Sequence, residues 1–152
     1  MDEFTQPPEE YAPSSNIFSG ANWFYWVAIL SAINTLIIFF FNIPNLFFAL
    51  GTTQWLDGTT GTMNREGWYP PLQITGLLLD LLIAAVFAGF GYLAKKGSDV
   101  AFVIGIFFYI VDGLLAIGLR DFFGSFFHLI PLFFMFKGLL ASRHLRENAT
   151  SY

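Results

Sequence analysis

The sequence predicts an all-α, polytopic membrane protein: a four-helix transmembrane bundle with short loops and one longer outer loop. Three observations carry this. Of 152 residues, 55% are hydrophobic, 20% aromatic and only 12% charged, a balance that leaves little for a soluble core. Four apolar runs, at about 23–41, 74–93, 100–119 and 122–141, reach the roughly 20 residues needed to cross about 30 Å of hydrocarbon. The breaks "KKGSD" and "RD" are so brief that the last three helices must be antiparallel neighbours.

The chain divides into a tail over 1–16, a transmembrane domain over 17–142 and a short cytoplasmic tail over 143–152. Residues 2–13, "DEFTQPPEEYAP", combine four acids with three prolines and lack a basic n-region, so they read as a disordered acidic tail and not a signal peptide. Such a tail serves as a solubilising end or a docking peptide for a partner. Ser14, Ser15 and Asn16 are candidate caps for the first helix, and Trp23, Tyr25 and Trp26 then fall where an interfacial aromatic belt would sit.

The first apolar run continues through "FNIPN" to Leu50, too long for one straight span and too short for two. Pro44 should break it. "NLFFAL" then reads as an interfacial turn or short re-entrant piece leading into the outer loop "GTTQWLDGTTGTMNREGWYPPLQ". That loop carries two "GTT" triplets, a "DG" turn signal and the pair Pro70 and Pro71, with Trp55, Trp68 and Tyr69 suited to the membrane surface.

Lys95, Lys96, Lys137, Arg143 and Arg146 fall on one side of the spans, against Arg65 and Arg120 on the other. The positive-inside rule therefore places both termini in the cytoplasm, with a bacterial inner membrane as the expected location. Lys137 can extend its ammonium to the same interface. The net charge of −4 arises mainly in the tail and says little about partners. Nothing resembles a nucleic-acid patch, so the expected surroundings are the lipid bilayer and other membrane subunits or further copies of the chain.

Ionisable groups inside the spans are the main functional clue. Counted from the outer helix ends at 1.5 Å per residue, Asp80 lies roughly 9 Å deep, Asp112 roughly 11 Å, His128 roughly 9 Å and Asn34 roughly 12 Å. They are expected to share one layer, with Tyr109 one turn away. The stripes that carry them are lined by small residues: Gly76, Ala84 and Ala88 with Asp80; Ala101, Gly105 and Ala116 with Asp112; Gly124 and Ser125 with His128. Small residues let membrane helices approach, so both aspartates are expected to point into the bundle. An aspartate facing lipid near the bilayer centre costs about 2.5 to 3.5 kcal/mol on insertion scales, which argues the same way.

Such a layer admits several roles. It can be a polar clamp that fixes helix register, a proton or cation site, or a metal or catalytic centre built from Asp80, Asp112 and His128. One histidine in the layer, with no cysteine anywhere in the chain, makes a poor zinc set. No Gly-x-Ser-x-Gly elbow, His-Glu-x-x-His helix or P-loop is present, and the glycines of "GFGYLAKKG" belong to helix packing. The twenty phenylalanines can pack against lipid, quinone, pigment or another subunit, and no cofactor is specified. The leading expectation is an accessory or scaffolding subunit of a larger membrane complex. The alternative is an ion- or proton-coupled transporter using the Asp/Asp/His layer, and a membrane-embedded enzyme ranks third.

Overall fold

The computed structural model describes residues 11–41, 50–53, 55–56 and 70–149. Four helices account for most of them: α1 (Tyr11–Phe41), α2 (Pro70–Lys95), α3 (Asp99–Gly118) and α4 (Phe122–Ala149). Each contains a stretch long and apolar enough to cross a membrane. The protein is therefore an all-α four-helix bundle of the transmembrane kind. A bilayer favours this outcome because a helix satisfies its own backbone where no water is available to do so.

Several boundaries differ from those expected. Helix α1 begins at Tyr11 and runs through Ser14, Ser15 and Asn16, so these are interior residues and not caps, and the tail expected over 1–16 loses its last part to the helix. Pro13 is compatible with this because the first turn of a helix needs no donor from its residues. Pro70 and Pro71, expected in the outer loop, instead open α2, where a fixed φ suits the first turn. Helix α4 continues to Ala149, past the expected start of a tail at residue 143. Its final segment, "SRHLRENA", is rich in good helix formers, and Asn148 bonds His144 one turn back. At 1.5 Å per residue α1 and α4 reach about 46 and 42 Å, more than the hydrocarbon thickness.

The two hairpin turns share one construction. Gly97 has a positive φ of 80°, and the Gly97 and Ser98 amides return to the Ala94 and Leu93 carbonyls. Arg120, at φ 63°, does the same, with its own amide on Ile117 and the Asp121 amide on Ala116. Both are Schellman closures that satisfy the last carbonyls of a helix. Ser98 then accepts from the Ala101 amide and Asp121 from the Gly124 amide, so each turn ends in an N-cap for the next helix.

Around the bundle the order is α1, α2, α3, α4, with α1 packed most extensively on α2 and α4 and α3 chiefly on α4. Helices α1 and α4 touch backbone to backbone at Gly20 and Gly138: a Cβ on Gly20 would come within 2.8 Å of the Gly138 Cα. Across the centre, Phe24 reaches Phe90 and Phe102 at ring-centroid distances of 6.3 and 5.9 Å, in the space left by Gly105. Of the small residues expected at helix contacts, Gly76, Ala84, Ala101, Gly105, Ala116 and Gly124 are buried, while Ala88 and Ser125 are half-buried. Gly124 leaves room for the Asp121 cap of its own helix, not for a neighbouring helix. The outward faces carry exposed Phe107, Phe122, Phe126 and Phe133.

Candidate functional site

Residues 51–53 form one helical turn held inside the bundle, and this turn organises the polar interior. Leu50, Gly51 and Thr53 are buried, although they follow the first span in a part of the chain richer in polar residues. The Leu50 amide donates to Ser31 Oγ of α1 at 2.9 Å, and the Thr53 hydroxyl donates to the Leu50 carbonyl at 2.8 Å. Gly51 lies directly on α3: a Cβ there would come within 2.7 Å of the Asp112 carbonyl oxygen and 3.0 Å of the Ala116 nitrogen. A residue with a side chain cannot approach so closely. Trp55, two residues on, is half exposed. Residues 42–49 and 57–69, with Pro44, Trp68 and Tyr69, lie outside the described residues, as do residues 1–10 of the acidic tail.

Asp112 receives the turn. Its Oδ2 accepts from the Gly51 amide at 2.8 Å, and its Oδ1 accepts from the Thr52 amide at 2.8 Å and the Thr52 hydroxyl at 2.5 Å. His128 Nε2 lies 3.0 Å from the same Oδ2. Both partners are buried. The other ring nitrogen, Nδ1, lies 2.8 Å from the Gly124 carbonyl, and the ring stacks on Tyr109 at 4.8 Å between centroids.

These contacts define how many protons the pair holds. A carbonyl oxygen only accepts, so Nδ1 carries a hydrogen. The contact of Nε2 with Oδ2 then needs one more proton, placed on either atom, because two lone pairs at 3.0 Å repel. The bond between Asp112 and His128 therefore requires one proton between Nε2 and Oδ2, at an ordinary hydrogen-bond length. Buried carboxylates in hydrocarbon require such partners, and here they come from two separate elements, the inserted turn and α4.

The other residues expected in this layer fall as follows. Asp80 is fully buried, and the Thr35 hydroxyl approaches its Oδ2 at 3.5 Å. Asn34 is also buried. Thr35 is one turn beyond Ser31 on α1, so the Asp80 station sits about 6 Å further along that helix than the bond between Ser31 and the turn. Among the described residues, no three histidine, aspartate or glutamate side chains come together as a metal site would require. The expected ligand set of Asp80, Asp112 and His128 is thus not assembled as one cluster, since Asp80 turns to α1 and Asp112 to the inserted turn.

Two features were not anticipated from the sequence. A cavity of about 260 Å³ lies beside His128, walled by Trp23, Val27 and Leu30 of α1, Tyr109 of α3, and Phe127, Ile130 and Pro131 of α4. Leu30 and Ile130 are exposed residues at its rim, so it faces the outer surface of the bundle. At the far end of the same hairpin, buried Asp99 accepts from the Ser142 hydroxyl and pairs with Arg146, which is 65% exposed. The available signal for this clip was an acid in the first turn of α3, opposite a serine and an arginine spaced four apart on α4. Compared with protein-family models, curated proteins and solved structures, the chain matches none.

Proposed function

We propose that this integral membrane protein is a small proton-linked transporter whose working site is the Asp112–His128 pair. The observation that carries the reading is the 3.0 Å contact of His128 Nε2 with Asp112 Oδ2, a bond that needs one proton between the two atoms, within a buried, hydrogen-bonded setting. Ionisable groups at such positions mark proton and substrate routes in membrane proteins. The cavity against His128 gives a small, mainly apolar solute room to meet that proton. Exposed Lys95, Lys96, Arg143 and Arg146 lie toward one end of the bundle, which supports an orientation with both termini in the cytoplasm. The test is purified protein in liposomes, with an imposed pH gradient and a pH-sensitive dye inside. Wild type should move protons faster than empty vesicles and His128→Gln should not; equal rates for the two proteins would end this reading.

A second reading is favoured by a different observation. Large aromatic side chains cover the outside of α3 and α4, with Phe107, Phe122, Phe126 and Phe133 each more than 60% exposed. On this reading the chain is an accessory or scaffolding subunit, and the polar residues only hold its fold. Native mass spectrometry after gentle extraction would then show stoichiometric protein partners or further copies, and the protein alone would leave the liposome gradient unchanged.

A further inference from the structure

We propose that residues 51–53 form a latch, closed over the Asp112–His128 pair by the charge of Asp112 and released when the pair takes up a second proton, so that His128 Nε2 and Asp112 each carry one. The inference rests on the proton-linked reading above. Each carboxylate oxygen of Asp112 already meets two partners: Gly51 and His128 at Oδ2, and the amide and hydroxyl of Thr52 at Oδ1. Movement of the shared proton from Nε2 to Oδ2 keeps all four contacts; with that proton on Nε2, a second proton on either carboxylate oxygen takes a place that a donor now occupies, so one bond breaks and the others lose their charge assistance.

The surroundings decide which partner leaves. His128 is fixed independently, by the Gly124 carbonyl and by stacking on Tyr109. Apart from the bonds to Asp112, residues 50–53 are tied to a helix, among the described residues, by the Leu50 amide on Ser31. The turn is therefore the partner that yields. Among the described residues, the titratable groups at Asp112 are His128 and Tyr109, with the capping Asp121 beside His128, while α1 and the turn present neutral Ser31 and Thr52, and the Asp80 carboxylate of α2 meets Thr35. In the closed state Thr53 is fully buried and Trp55 is half exposed, so opening is read by exposure of residue 53.

The chain has no cysteine, which makes single-cysteine labelling direct. In membranes or liposomes at neutral pH, Thr53→Cys should react with a membrane-impermeant maleimide far more slowly than Trp55→Cys. Adding Asp112→Asn, which removes the charge and keeps the size, should speed labelling at position 53 about tenfold or more, since the bonds that hold the turn lose their charge assistance. Adding Asp80→Asn should leave the rate unchanged. If Asp112→Asn does not yield folded protein, Thr52→Val and Ser31→Ala, which weaken the turn at its own bonds, should each raise the rate several-fold. Position 53 staying equally protected in the Asp112→Asn protein, or in both of the milder variants, overturns the latch. His128→Gln keeps the turn donors on Asp112, so it should leave residue 53 protected while abolishing proton movement. Proton movement that survives His128→Gln tells against the proton-linked reading and not against the latch.

Discussion

Asp112 and Asp99 sit about 20 Å apart along α3, and both tie it to α4, yet by different means. Asp112 holds two backbone amides, a hydroxyl and an imidazole, and its histidine partner is as deeply buried as itself. Asp99 holds the buried Ser142 hydroxyl and an arginine that is mostly in solvent. The same residue type is thus a keystone at one end of a helix and a surface clip at the other. Solvent near Arg146 weakens its attraction to Asp99, whereas hydrocarbon around Asp112 makes every lost partner costly.

The widest separation between the two ends should come from Asp112→Ala. It leaves three donors of the turn and the imidazole without their acceptor, and should lower stability by about 3 to 5 kcal/mol. Thermal unfolding in mild detergent, followed by far-ultraviolet circular dichroism, measures this. A loss under about 1 kcal/mol would mean that the turn has other anchors of equal strength.

Gly51→Ala probes the same end by shape alone, since its methyl would press on the Asp112 carbonyl. Overpacking of this kind costs about 1 to 3 kcal/mol. It should also raise hydrogen exchange at the amides of residues 51 and 52, and unchanged exchange would show that the contact can relax.

At the opposite end Asp99→Asn keeps a partner for Ser142 and gives up only the pairing with Arg146. Its expected cost is about 1 kcal/mol or less, shrinking as salt is raised. An effect as large as that of Asp112→Ala, or one indifferent to salt, would erase the distinction between keystone and clip. The smallest change is a gain. Arg120 sits in left-handed backbone, so Arg120→Gly should stabilise the hairpin by about 1 kcal/mol, visible as a modest rise in melting temperature.

Fold and site were legible to different degrees. The four spans could be read directly, because in hydrocarbon a helix is specified by a local run of apolar residues and needs no partner to satisfy its backbone. Asp112, His128 and Tyr109 were singled out for a similar reason, being costly residues in an apolar run. Their partners were not. Ser31, Thr35, Thr52 and Ser142 are ordinary small polar residues, and nothing local distinguishes a serine that receives a buried amide from one that faces its own helix. Helix ends were misjudged where apolarity ceased before the helix did, as at Tyr11 and Ala149.

By itself the sequence determined the number of spans, their short antiparallel connections and which costly groups had to be buried, since each follows from the free energy of placing a side chain in lipid. Only the tertiary structure decided that Asp112 would face an inserted turn and His128, that Asp80 would face Thr35, and that Gly20 and Gly138 would bring α1 against α4. Those choices depend on which distant segments share a few ångströms of space, and hydrogen bonds and close packing are decided at that range.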